Sequence, residues 1–166
     1  MKTVITFGTF DVFHVGHLRL LQRARTLGEQ LLVGVSSDAL NIAKKGRAPV
    51  YPQDDRMAII AGLACVDGVF LEESLEQKAE YLWGYSADIL VMGDDWAGKF
   101  DDFSCSCEVV YFPRTPSVST TRIIEVIRCK PATYCFNSRS SLVLRYSFSR
   151  PTLISSSTPA SVNCLR

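Results

Sequence analysis

Apolar positions in this chain follow two alternating patterns. Short unbroken apolar runs stand at 2–7, 31–36, 66–71, 88–92 and 107–112, with Val4, Ile5 and Phe7 in the first. Runs of this length without a polar alternate face predict strands buried on both sides. Elsewhere the apolar residues are spaced three and four apart, as in Leu18, Leu20, Leu21, Ala24 and Leu27, which predicts helices over 17–27, 53–64, 75–84 and 119–128. The first of these ends near Gly28, and Ser119 or Thr120 caps the last. Asn41 to Pro52 is polar and reads as a flexible loop. Strands alternating with helices give an α/β fold, a doubly wound parallel sheet of about five strands. In such sheets ligands sit outside the carboxyl ends of the strands, where the turns after Phe7 and Met92 and the segment before the last helix all fall.

Length and composition narrow the organisation. With 166 residues, 47% of them hydrophobic, the chain holds one Rossmann-like domain over 1–129 and an extension over 130–166. The extension has nine serines, five Lys/Arg and no acid, a composition that predicts poor order. The body carries 13 Lys/Arg against 17 Asp/Glu, so it lacks the basic footprint of a nucleic-acid binder. No apolar run approaches the roughly 20 residues that span a bilayer, and no basic-then-apolar leader opens the chain. We therefore expect a cytoplasmic protein with no membrane insertion. The six cysteines form no Cys-x-x-Cys motif and read as reduced thiols, with Cys105 and Cys107 positioned to share one strand face.

The chemistry concentrates at the first strand-to-helix turn, Gly8-Thr9-Phe10-Asp11-Val12-Phe13-His14-Val15-Gly16-His17, which holds the chain's only two histidines. The first amides of a helix are unpaired and carry the positive end of its dipole, so an anion is favoured there. Two imidazoles three residues apart make a poor zinc site without a third ligand. Both can instead point N–H groups at one set of phosphoryl oxygens. Gly16 lets the backbone pass close to a ligand. Thr9 and Phe10 offer amides and a hydroxyl from the strand end. Asp11 orients the turn, lies near a metal, or is a plain cap. In Arg114-Thr115-Pro116-Ser117-Val118-Ser119-Thr120-Thr121, the arginine can fork onto phosphate oxygens and the hydroxyls open a helix, a second anion site facing the first.

Together these two segments resemble the signature pair of the cytidylyltransferase branch of the nucleotidyltransferase superfamily. Met92-Gly93-Asp94-Asp95-Trp96-Ala97-Gly98-Lys99-Phe100 narrows the resemblance to its glycerol-3-phosphate-using members. It runs from about residue 2 to 128. It implies transfer of CMP from CTP to glycerol 3-phosphate, with direct in-line attack of the acceptor phosphate on the α-phosphorus and loss of pyrophosphate. By the same carry-over His14, His17 and Arg114 are catalytic, and Thr9, Phe10, Val15, Gly16, Asp94, Thr115, Ser119, Thr120 and Thr121 join them around the nucleotide. Lys44 and Lys78 resemble the family's phosphate-binding lysines, with Trp96 walling the acceptor pocket and Lys45, Arg47 and Arg56 as helpers. Mg²⁺ accompanies CTP as cofactor, and the expected assembly is a homodimer.

Two positions depart from the family pattern. The chain has Ser117 where Gly is common, and Ala64 where an arginine precedes the Val-Asp of the third strand. Arg56 or Arg47 is the candidate replacement for the lost phosphate contact. The same turn also serves sister transferases that use ATP or another phosphorylated alcohol or sugar, and it would survive in a binding module without turnover.

Overall fold

The computed structural model describes residues 1–129. Five strands form one wholly parallel sheet: β1 (Thr3–Gly8), β2 (Gln30–Ser36), β3 (Gly68–Glu72), β4 (Ile89–Gly93) and β5 (Glu108–Phe112), in spatial order β3-β2-β1-β4-β5. The helices are α1 (Val15–Arg25), α2 (Asp38–Lys45), α3 (Gln53–Ala61), α4 (Lys78–Gly84) and α5 (Thr120–Cys129). Val4 of the central β1 pairs with Leu31 on one side and Ile89 on the other. The chain winds outward from β1 through β2 to β3, then returns to the opposite side of β1 for β4. This reversal opens a crevice at the carboxyl ends of β1 and β4, where such folds bind ligands.

Period-two alternation explains the two cores. Val4, Val33, Ile89 and Val91 face one way and pack with Leu21 and Ala24 of α1 and Ile60 of α3. Ile5, Phe7, Leu90 and Met92 face the other way and pack with Leu82 of α4 and Phe100. These strand residues are essentially removed from water, which accounts for runs that are apolar throughout. The doubly wound α/β expectation is met.

Three details differ from the sequence reading. The segment 41–52 is not one loop, because α2 reaches Lys45: Ser37 Oγ accepts from the Leu40 amide at 3.0 Å, and Gly46 stops the helix at a φ of 67°. α1 begins two residues earlier than expected, because His14 itself is the N-cap and its Nδ1 accepts from the Gly16 amide at 3.1 Å. Cys105 lies exposed in a short 3-10 turn (Asp101–Cys105) while Cys107 is buried just before β5, so they share no strand face. The expected extension over 130–166 lies outside the described residues.

Candidate active site

β1 delivers the chain into a turn strained enough to place Phe10 at φ 52° and Val12 at φ 44°, unusual for any residue with a Cβ and costly for a branched one. Two anchors hold it. The Asp11 carboxylate accepts from the Val12 amide at 3.0 Å and from the Val50 and Tyr51 amides at 2.9 and 3.0 Å, which fastens the loop after α2 over the turn. Thr120 Oγ1 donates to the Asp11 carbonyl at 2.9 Å, which fastens the start of α5 to the same point. Of the three roles open to Asp11, its geometry is that of the orienting residue.

The turn stacks the two imidazoles face to face, centroids 3.8 Å apart and planes 16° from parallel. Gly16 makes this possible, since a methyl there would stand 2.8 Å from the His14 ring. Because His14 Nδ1 accepts the Gly16 amide, its ring proton sits on Nε2. His17 Nδ1 is buried with no hydrogen-bond partner among the described residues. Burial, then repulsion from His14, lowers the His17 pKa to about 4 against a smaller opposing pull from Asp11. His14 is lowered too, chiefly by burial. At neutral pH the stack is uncharged and offers N–H donors; an anion in front would raise both pKa values.

The second segment closes against the first. His14, Gly16, His17, Arg114, Thr115, Ser119, Thr120 and Thr121, eight of the residues expected around a nucleotide, line one cavity of about 310 Å³. Ser119 Oγ accepts from the Arg122 amide at 3.2 Å and so caps α5. The Arg114 guanidinium pairs with Asp95, and its backbone amide reaches Asp94 Oδ2 at 3.4 Å. A smaller adjoining cavity of about 290 Å³ is walled by Thr9, Phe10, His17, Lys45 and Arg47 together with Thr120 and Thr121.

On the far side of Thr9 a third cavity, about 560 Å³, opens at the carboxyl ends of β1 to β4. It gathers the expected Lys44, Lys78 and Trp96 with Lys45, Lys99 and Arg114, against two acids, Glu72 and Asp95. Lys99 and Lys44 place their ammonium groups 5.0 and 6.0 Å from the Trp96 ring. Lys45 Nζ donates to Thr9 Oγ1 at 3.2 Å, and that hydroxyl donates on to Asn41 Oδ1 at 2.7 Å, so Lys45 stands between this cavity and the smaller one.

Three expected residues stand apart from these cavities. Val15 heads α1 with its side chain exposed, and it lines none of these three cavities, because the helix turns it outward. Asp94 lines none of them either; its carboxylate is turned to the Arg114 backbone. Arg56 is no phosphate helper. It is fully buried and spends its guanidinium on the carbonyls of Thr9 (2.6 Å), Ser36 (2.8 Å) and Tyr51 (3.0 Å) and on Asp38 (2.6 Å). Arg47, on the smaller cavity, is thus the remaining candidate to replace the contact missing at Ala64. Glu72, Asp95 and Asn41 went unremarked in the sequence. The first two had a signal, since both follow strands at the ligand edge; buried Asn41 in α2 had none.

A family model described as cytidylyltransferase-like matches residues 5–126. Glycerol-3-phosphate cytidylyltransferase of Bacillus subtilis is 46% identical over 127 residues, covering 76% of this chain and 98% of that protein. The chain belongs to the cytidylyltransferase-like family. Its relative of the same name in Staphylococcus aureus is 39% identical over 132 residues, covering 80% of this chain and 99% of the relative. Among solved structures, the lipopolysaccharide core biosynthesis protein from Thermoplasma volcanium superposes with a TM-score of 0.60 at 24% identity, over 69% of this chain and 98% of that one, a likeness of fold.

Within this cytidylyltransferase-like chain, Ser117 stands at φ 66°, the left-handed region that favours glycine, the residue the resemblance leads one to expect there. The loop keeps its bend and bears the strain. The carboxylates of the site are engaged: Asp11 by three amides, Asp95 by Arg114 and Glu72 by Lys78. No group of three His, Cys, Asp or Glu able to hold a metal gathers among the described residues.

Proposed function

We propose that the protein is a cytidylyltransferase that joins CTP and glycerol 3-phosphate into CDP-glycerol with release of pyrophosphate. The observation that carries this reading is the meeting of the two anion-binding turns around one cavity, beside a second cavity rich in lysine. The names of the relatives point to the same pair of substrates.

In this mechanism the triphosphate lies between the His14–His17 stack and the Arg114–Thr121 segment. The acceptor phosphate, in the lysine-lined cavity, attacks the α-phosphorus; a phosphorus–oxygen bond forms as the bond to the β-phosphate oxygen breaks. The nucleophile is already an anion, so no general base is required, and the protein contributes alignment and charge stabilisation. The ring N–H groups of His14 and His17 donate to the α-phosphate as its equatorial oxygens gain charge. Arg114 leaves Asp95 for the phosphates at little cost, because the pair is exposed. Lys44 and Lys78 receive the acceptor phosphate, with Trp96 beneath Lys44. Mg²⁺ carried in with CTP would supply charge neutralisation for the departing pyrophosphate, and since the carboxylates of the site are engaged, the chain's own part there is the Arg114 guanidinium and the hydroxyls of Ser119, Thr120 and Thr121.

The chain acts in the cytoplasm, where nucleoside triphosphates are supplied; among the described residues no helix is long and apolar enough to cross a membrane. The family resemblance supports a homodimer, which sedimentation of the purified chain tests. Substrate identity is tested by pyrophosphate release from CTP and ATP against glycerol, ribitol, ethanolamine and choline phosphates. The CTP and glycerol 3-phosphate pair should be fastest by at least tenfold. Preference for ATP or another acceptor would replace the substrate assignment, and no release with any pair would remove the enzyme reading.

A further inference from the structure

The lysine-lined cavity contains a carboxylate that an anion site should avoid. Glu72 closes β3 with 1% of its surface exposed, and it lines the cavity with Lys44, Lys45, Lys99 and Lys78. Unpaired, a buried carboxylate there would repel an incoming phosphate and carry a heavy desolvation cost. Its two oxygens are both used. Oε2 accepts from the hydroxyl of Ser36 at 2.6 Å, and Ser36 ends β2 directly across the sheet from Glu72. Oε1 pairs with the Lys78 ammonium, which opens α4.

Lys78 is equally buried, its nitrogen 3.8 Å from the centre of the Phe7 ring and 5.2 Å from that of Phe100. We propose that Glu72 is a positioning residue for the acceptor: braced by Ser36, it holds the Lys78 ammonium charged and aimed into the cavity, where it meets the phosphate of the phosphorylated alcohol. This inference rests on the transferase reading above. The Phe7 and Phe100 rings and Glu72 pack around the ammonium, and Lys78 lines the cavity with them.

The charges around Lys78 set the expected pH behaviour. Burial pulls its pKa down and Lys44 pulls the same way, while Glu72 opposes both by charge and by hydrogen bond. The other charged groups on this cavity are Lys45 from α2, Asp95 and Lys99 after β4, and Arg114 after β5. Removing the Glu72 charge leaves a buried amine among cations, which sheds its proton as pH rises.

The test is steady-state pyrophosphate release at a series of pH values from mildly acidic to mildly alkaline, with CTP and glycerol 3-phosphate varied separately. Glu72→Gln keeps the volume and the Ser36 hydrogen bond. It should raise KM for glycerol 3-phosphate at least about tenfold at neutral pH, and further as pH rises, with KM for CTP within about threefold of the parent. Starting from Lys78→Met, which leaves the Glu72 charge unpaired against the acceptor, adding Glu72→Gln should raise the acceptor KM no further and should lower it. An acceptor KM that stays within twofold of the parent at every pH overturns the proposal, as does an equal rise in both KM values or full multiplication of the two effects in the double variant. Thermal melting confirms that each variant is folded. If Glu72→Gln does not fold, Ser36→Ala takes its place and should raise the acceptor KM a few-fold with CTP unaffected; an unchanged acceptor KM overturns the proposal. A parent that turns over with neither substrate overturns the transferase reading and this inference with it.

Discussion

At the scale of single residues the histidine stack makes the sharpest commitments. His17→Ala should lower turnover about a hundredfold to a thousandfold, the usual effect of losing one donor to a developing oxyanion, with a smaller change in CTP affinity. The same variant should change the acid stability of the fold. The His17 pKa is lowered from 6.5 to about 4 in the folded chain, so between these values the unfolded state binds a proton that the folded state refuses. Stability is therefore full above pH 6.5 and declines as pH falls toward 4, by up to about 3 kcal/mol at about 1.4 kcal/mol per unit. Urea denaturation at several pH values should show this slope in the parent and a shallower one in His17→Ala. Ser117→Gly tests the strained loop: relief at φ 66° should outweigh added unfolded-state freedom and raise stability by about 1 kcal/mol. A loss would show that the serine side chain is used.

Among the elements, α2 and Arg56 decide how the ligand edge is built. Arg56 reaches from α3 to the ends of β1 and β2, the first turn of α2 and the loop before α3, so one guanidinium fixes the geometry of the turn carrying Thr9. Arg56→Met should destabilise the fold by about 3 kcal/mol, because it leaves three carbonyls and Asp38 without their donor. Chemical denaturation measures this, and a neutral outcome would mean water takes over those groups. Such a role is hard to read from sequence. An arginine in an exposed-looking helix near a phosphate site suggests a ligand contact, and only the tertiary arrangement shows that its donors are spent on backbone. The α2 helix is hard to read for a different reason: its apolar Ala39, Leu40, Ile42 and Ala43 span little more than one turn before Lys44 and Lys45, too short a stretch to establish a period, even though Ser37 and Gly46 supply a cap at each end. The sheet was legible because the inner strands β1, β2 and β4 are buried on both faces and read as apolar runs, while the half-buried edge strands β3 and β5 still carry Val69, Phe70 and Leu71 and Val109, Val110 and Tyr111 in sequence. The two signature turns were legible because their chemistry needs particular residues in a particular order.

For the molecule as a whole, reversal of strand order at β1 and β4 brings distant segments to one edge. His14 and His17 follow β1, Asp95 and Trp96 follow β4, and Arg114 to Thr121 follow β5, while α2 and α4 contribute Lys44 and Lys78. Three cavities result: in the proposed function the triphosphate takes the one between the two turns and the acceptor the lysine-rich one, which share Asp95 and Arg114, while Lys45 and Thr9 stand between the lysine-rich cavity and the smaller one. The central claim is direct transfer between triphosphate and acceptor. It is tested most directly by supplying glycerol 3-phosphate with CTP made chiral at the α-phosphorus by sulfur in place of one non-bridging oxygen, and reading the configuration of the product by phosphorus NMR. The account predicts inverted configuration at that phosphorus, the mark of a single in-line displacement. Retained configuration, the mark of a covalent nucleotidyl-protein intermediate, would contradict it.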